Sequence, residues 1–239
     1  MPNTGDGLKA DNANWNFKGE IAKNFDIHVS KSVPFYLDGH QLVCSISDFF
    51  IKHDSLIYEL GCSTGELILK VSKHNNHKPN SKYIGIDIEE DMIGMAEQKK
   101  EDLKIENVEF YVDDITQFEF QKSDMIIAYY TIQFVRPSQR QLLIDKIFEA
   151  LNWGGGFLFF EKVRANDARF QDMMTSIYYD YKLEKGYTPD EIIAKSRSLK
   201  GILEPFSTQG NMDLLKRAGF IDILTVFKYV CFEGFLAVK

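Results

Sequence analysis

The chain has 239 residues, 44% apolar, 13% aromatic and 26% charged, with a formal charge of −7 and a sequence pI near 5.3. That length suits one large α/β domain, or one domain with an inserted cap, and no apolar run is long enough to read as a membrane span. The acidic balance argues against a broad phosphate-neutralising surface, which disfavours nucleic acid as a direct partner.

The opening stretch, MPNTGDGLKADNANWNFKGE, is polar and lacks the apolar core of a signal peptide. Residues 1–18 read as a flexible N-terminal arm ahead of a single domain over 19–239. Cys44, Cys62 and Cys231 are an odd number at no metal-ligand spacing, the pattern of a reduced cytoplasmic protein with no metal site. Pro34 in KSVPFY marks a loop. In the segment after it, GHQLVCSISDFFIK, residues Leu42, Cys44, Ile46, Phe49 and Phe50 are disposed for a buried helix face.

From Leu56 onward, apolar runs of strand length alternate with helix-period segments. The strands are predicted at Leu56–Leu60, Tyr83–Asp87, Val108–Val112, Asp124–Tyr130 and Phe157–Lys162. GELILKVSKHN and EDMIGMAEQKK read as the helices after the first and second. PSQRQLLIDKIFEAL carries Pro137 in its first turn, and NWGGG then stops that helix. Such alternation predicts a doubly wound, Rossmann-like parallel sheet. Residues 165–203 break the pattern with two successive helices, a helical cap. The second opens on Thr188-Pro189-Asp190-Glu191, a capping box with proline at the first helical position. A last helix ends at Gly219, followed by strands at Ile221–Tyr229 and Phe232–Val238.

The stretch YELGCSTG, residues 58–65, places a glycine turn between the first strand and its helix. Strand, turn and helix N-terminus together bind anionic or nucleoside groups, because glycine lets the backbone approach closely. A dinucleotide site would carry a third glycine, and Glu66 at the helix start would repel a pyrophosphate. The zwitterionic head of an amino acid fits better, its ammonium meeting acceptors near Glu59 and Gly61. Asp87, at the end of the second strand, suits two ribose hydroxyls. Asp114 after the third suits an adenine amino group, with Ile115 against the ring. Gly61, Cys62, Ser63, Gly65, Asp87, Ile88, Asp114 and Ile115 thus form the candidate cofactor set. They lie on one carboxyl edge, and S-adenosylmethionine is the ligand they fit.

With those residues in hand, the chain resembles the class I S-adenosylmethionine-dependent methyltransferases. Within them it is similar to the carboxy-S-adenosylmethionine synthase family. The stretches carrying the likeness are KSVPFY, YELGCSTG, GIDIEEDMI, TIQFVRPSQRQLLIDKIFEALNWGGG, FEK, YYDYKLEKGY and KSRSL. The resemblance implies a seven-stranded sheet whose last pair is antiparallel, a homodimer, and cofactor contacts from Tyr36 and Arg197. In that family an arginine of a KRS-type helix holds the extra carboxylate of the carboxylated cofactor, a task suited to a guanidinium. The family's reaction moves a carboxyl unit from prephenate to the cofactor's methyl carbon, through a sulfonium ylide, for tRNA wobble-uridine modification. Two departures from the family stand out: Tyr129 replaces an asparagine, and Tyr178 and Tyr179 replace paired histidines.

Tyr129, Tyr130, Tyr178 and Tyr179 can line an aromatic pocket that attracts a sulfonium, and each reads equally as a core-edge aromatic. Glu161, Lys162 and Arg164 end the fifth strand; the last two read more readily as a solvated rim than as catalytic groups. The five histidines form no triad or metal pattern. The leading expectation is methyl transfer to a small-molecule acceptor, with Tyr129, Tyr178 and Arg197 as the catalytic candidates. The alternatives are carboxy-S-adenosylmethionine synthesis and a non-catalytic cofactor-binding module.

Overall fold

The computed structural model describes residues 1–239, the side chain at position 20 excepted. In chain order the elements are β1 (Asn3–Gly5), β2 (Leu8–Lys9), α1 (Glu20–Ser32), α2 (Tyr36–Ser47), β3 (Leu56–Leu60), α3 (Glu66–His74), β4 (Lys82–Asp87), α4 (Glu90–Leu103), β5 (Val108–Val112) and β6 (Ser123–Tyr129). There follow α5 (Pro137–Ala150), β7 (Leu151–Lys162), α6 (Ala168–Glu184), α7 (Pro189–Ser198), α8 (Thr208–Ala218), β8 (Asp222–Tyr229) and β9 (Phe232–Val238). Seven strands form one sheet in the order β5-β4-β3-β6-β7-β9-β8. The first five are parallel to one another, and β9 runs antiparallel to both β7 and β8.

The β6 run reads as continuously apolar because both its faces are covered. Ile126 and Ala128 join the core with Leu143, Ile147 and Phe159, while Met125 and Ile127 join that of Val43, Leu67 and Phe160. Register places Leu60 beside both Ile86 and Ala128, and Ala128 beside Phe159. Glu59, Asp87, Tyr129 and Lys162 therefore reach one carboxyl edge. β3 has β4 on one side and β6 on the other, so the strand order reverses there and opens a crevice above them.

Several elements differ from the sequence reading. Residues 1–18 are not a free arm. β1 and β2 form a hairpin, and Leu8, Ala10 and Trp15 build a small core with Ile21, Leu199 and Ile202. The amides of Ala13 and Trp15 donate to the carbonyls of Arg197 and Ser198, satisfying groups that the end of α7 would leave unpaired. Helix α1 was not legible, because its buried face includes the polar His28 and Ser32 and so blurs the apolar period. In α2 the buried face is Gly39, His40, Val43, Cys44 and Ser47, and Phe49 is 81% exposed, beyond the helix end. The NWGGG stretch is the irregular start of β7, with a register shift against β6 and Gly154 at φ +76°.

Candidate functional site

The glycine turn is built by backbone strain and backbone hydrogen bonds. Gly61 has φ +67°, and a Cβ there would collide with Thr131. Its amide and that of Cys62 both donate to the carbonyl of Ile86, at 2.7 and 3.0 Å, which fastens the turn to the end of β4. Asp87 completes the tie. Its carboxylate accepts from the amides of Ser63 (2.8 Å) and Glu89 (3.0 Å), while burial raises its pKa.

Beneath the turn lies a small recess lined by Phe25, Asp26, Tyr36, Glu59 and Tyr129. Glu59 is 2% exposed and its Oε2 has no partner among the described residues. Burial pushes its carboxyl well above the usual range, with the charge of Asp87 adding to the shift. A buried acceptor left open beside a glycine turn fits the ammonium of an amino-acid head group. Glu66 also faces this recess but is ion-paired with Lys70 (3.0 Å) and Lys99 (3.1 Å).

The recess joins a cleft of about 1070 Å³, just above the usual range of roughly 300–1,000 Å³ for small-molecule sites and so roomy enough for a nucleoside cofactor and a second molecule. Among the candidates, Tyr36, Gly61, Ser63, Asp87, Ile88, Asp114, Ile115, Tyr129 and Tyr178 all line it. Glu59 lies in the adjoining recess, and Cys62 reaches only that recess, its thiol buried toward Gly85. Gly65 lines neither; it holds a positive φ of 71° where α3 begins. One oxygen of Asp114 accepts from the amide and hydroxyl of Thr116, which fixes the orientation of the carboxylate.

The aromatic wall is more constrained than its composition suggested. The Tyr129 hydroxyl donates to the Tyr36 carbonyl at 2.7 Å, and the Tyr178 hydroxyl donates to the Ser32 carbonyl at 2.9 Å. Burial pushes both phenols far up. Their ring faces are what they offer a ligand.

Arg197 stands apart from the other candidates. It is exposed and does not line the cleft. The cleft-facing residues of α7 are Ile192, Lys195, Ser196 and Leu199, spaced three, four and seven apart from the first. Two positions beyond Lys195 is about 200° around the helix, which turns Arg197 outward. In a KRS pattern the arginine directly follows the lysine, and here Ser196 holds that place. The cations that line the cleft are Lys162 from β7, Lys182 from α6 and Lys195 from α7, all withdrawn from solvent, and Arg136, Arg164 and the exposed Lys200. Lys162 was read as rim; its ammonium instead lies 4.3 Å from the Tyr178 ring centre. Arg164 is the rim residue, paired with Glu204, and Glu161 is buried outside the cleft. Burial lowers the pKa of the three withdrawn lysines, that of Lys182 to about 8. Lys182 and Lys195 gave no sequence signal, since both sit in helices rich in charge. Thr131 and the α1 residues Phe25 and Asp26 were missed for a related reason: only tertiary contact brings them to the turn.

A family model described as a methyltransferase domain matches residues 51–208. The chain is 38% identical to a carboxy-S-adenosyl-L-methionine synthase of Staphylococcus epidermidis, over 94% of this chain and 97% of that protein. It is 37% identical to the protein of the same name from Campylobacter lari, over 93% of this chain and 94% of that one. Among solved structures it is similar to a SAM-dependent methyltransferase from Aquifex aeolicus, with a TM-score of 0.59 at 17% identity over 93% of this chain and 98% of that one. Human N-acetylserotonin methyltransferase in complex with SAM superposes with a TM-score of 0.53 at 17% identity, over 91% of this chain and 59% of that chain.

Proposed function

This chain belongs to the carboxy-S-adenosyl-L-methionine synthase family, on the methyltransferase fold, and from that premise we propose that it joins a carboxyl unit taken from prephenate to the methyl carbon of S-adenosylmethionine. It is a transferase that uses S-adenosylmethionine. Bound there, the sulfonium would acidify its own methyl carbon. Prephenate would lose its ring carboxylate as CO2 and its ring hydroxyl as hydroxide, the hydroxide would take one methyl proton to become water, the methyl carbon would bond the CO2, and the aromatised remainder of prephenate would leave.

The chain's residues divide the work. Glu59 would accept from the cofactor's ammonium, Asp87 would take the ribose hydroxyls, and Asp114 the adenine amino group. Ile88 and Ile115 would pack on the ring. Gly61, Cys62 and Ser63 would supply the backbone of the turn, set by Gly65. The ring faces of Tyr36 and Tyr129 would receive the sulfonium by cation–π attraction.

One observation carries the carboxyl reading. The cleft bears Lys162, Lys182 and Lys195, none of them ion-paired among the described residues, together with Arg136, Arg164 and Lys200. A positive wall beside a sulfonium works against simple methyl transfer and favours an anionic co-substrate and a carboxylated product. The second reading is methyl transfer to a small acceptor. The tyrosine-lined wall at 129, 178 and 179, where the family pattern has other residues, favours it.

Two finer readings go with this. A homodimer is supported by the apolar stripe Phe170, Met173 and Ile177, exposed on one side of α6. A cytoplasmic setting is supported by three free, buried cysteines, and no helix is long and apolar enough to cross a membrane. The net charge disfavours direct nucleic-acid binding.

The test is mass spectrometry of the nucleoside formed from S-adenosylmethionine with prephenate present or absent. A product one CO2 unit heavier, dependent on prephenate, supports the proposal. Its absence, with demethylated cofactor accumulating on small acceptors, would move the assignment to methyl transfer.

A further inference from the structure

The cleft has a charge imbalance that the fold does not settle by itself. Lys162 reaches it from the end of β7, Lys182 from α6 and Lys195 from α7. Lys182 donates to the Ser32 hydroxyl at 2.9 Å and lies 3.5 Å from the Tyr187 ring centre. Lys162 lies over Tyr178, and Lys195 lies over the indole of Trp15. No carboxylate among the described residues is within ion-pairing distance of any of the three.

The acids that come nearest are committed elsewhere. Asp6 accepts from His28, Lys31 and Tyr187. Glu191 closes the capping box on Thr188. Three withdrawn ammonium groups that line one cavity are costly unless an anion joins them. Aromatic faces offset part of that cost and leave the N–H donors free to turn toward a ligand.

We propose that Lys162, Lys182 and Lys195 form a single carboxylate-binding subsite that clamps an organic dianion between the sheet and the two helices of residues 165–203. Naming that dianion prephenate rests on the carboxyl-transfer reading above. Lys162 stands on the sheet, and Lys182 and Lys195 stand on the helices, so two carboxylates bridge the two bodies. The rings of Tyr178, Phe232 and Trp15 line the same space and receive the body of the molecule. Recognition in this subsite comes from three withdrawn point charges, whereas Arg136, Arg164 and Lys200 line the cleft elsewhere and Arg197 does not line it.

The experiment is titration calorimetry on the full chain saturated with S-adenosylhomocysteine, using prephenate and malonate as separate probes. Wild type is compared with Lys162→Met, Lys182→Met and Lys195→Met and with Lys162→Arg, Lys182→Arg and Lys195→Arg, and cofactor affinity is measured on each as a fold control. Expected is at least tenfold weaker binding of both dianions in the methionine variants, with S-adenosylhomocysteine bound within twofold of wild type. The arginine variants should keep most of the affinity. Dianion binding unchanged in folded methionine variants, or no binding of either probe by wild type, overturns the subsite. Lysine-dependent malonate binding without prephenate binding supports the subsite and removes the carboxyl-transfer reading. Where a methionine variant also loses the cofactor, the arginine variant at that position decides: retained dianion binding supports the clamp, and loss in a folded protein overturns it.

Discussion

The carboxylate of Asp87 accepts the amide of Ser63 at 2.8 Å, and with its other oxygen the amide of Glu89, so one side chain holds both the glycine turn and the start of α4. The same residue lines the cleft. Asp87→Ala should therefore damage turn and ligand contact together, because the Ser63 amide loses a buried acceptor, a cost of about 1–3 kcal/mol. Asp87→Asn keeps an acceptor oxygen and should do less harm. Calorimetry with S-adenosylhomocysteine is expected to show affinity falling about tenfold in the asparagine variant and further in the alanine variant. Equal affinity in all three proteins would remove Asp87 from the site.

Gly61→Ala tests the turn directly. A left-handed backbone costs an L-residue roughly 1–2 kcal/mol, before the collision of the new methyl with Thr131 is counted. The expected outcome is a melting temperature lower by about 4 °C or more and no measurable cofactor binding, by differential scanning fluorimetry with and without S-adenosylmethionine. Shortening the neighbour as well, with Thr131→Ser, should recover part of the stability.

Glu161 predicts a pH dependence. It is 2% exposed with one oxygen unpartnered, and burial pushes its carboxyl up to about 8 despite the nearby Arg140. The folded protein therefore holds this proton more tightly than the unfolded chain, whose carboxyl titrates near 4.5. Stability from Glu161 is complete below pH 4.5 and is lost as pH rises through 8. In thermal unfolding between pH 5 and 8, Glu161→Gln should remove a decline worth about 2 kcal/mol or more, roughly 4–8 °C at this chain length. A wild-type profile parallel to that of the variant would contradict the assignment.

The N-terminal hairpin should loosen in acid. Burial holds His28 down at about 4, and Lys31, Tyr187 and His28 bring Asp6 down to about 2 although burial opposes them. The contribution of His28 is present above its ordinary 6.5 and is lost as pH falls toward 4; that of Asp6 follows from 3.8 toward 2. Trp15, 5% exposed, reports on the hairpin once the 92% exposed Trp153 is replaced by phenylalanine. Its emission should shift to the red below about pH 5, before the far-ultraviolet circular dichroism changes. Simultaneous loss of both signals would mean that the hairpin and the sheet unfold as one unit.

Arg197 separates motif from geometry. Its side chain is exposed and outside the cleft, so Arg197→Ala should change turnover and cofactor affinity less than twofold. A loss of tenfold or more would show that α7 presents a different face during turnover.

The residues themselves determined the sheet and its ligand edge. Strands β3 and β5 lie where the apolar runs placed them: β3 because a parallel strand covered on both faces carries its burial in composition alone, and the half-exposed edge strand β5 because Val, Phe and Tyr favour extended backbone. The capping box of α7 and the glycine that ends α8 were equally local, since each is completed within a few residues. Asp87 and Asp114 followed from position, being the acids that end successive strands of one sheet.

What the tertiary structure decided was rotation and long-range partnership. A helix's period sets the angle between Lys195 and Arg197 but not which of them faces inward. That choice depends on Ile192 and Leu199 packing into the fold and on the hairpin bonded to the end of α7. The hydroxyls of Tyr129 and Tyr178 end on carbonyls 93 and 146 residues away, and no local pattern records such a partner. The lysine wall is the clearest case. Its three members come from three elements, each unremarkable in its own segment, and only the packing of α6 and α7 against the carboxyl edge makes them one site.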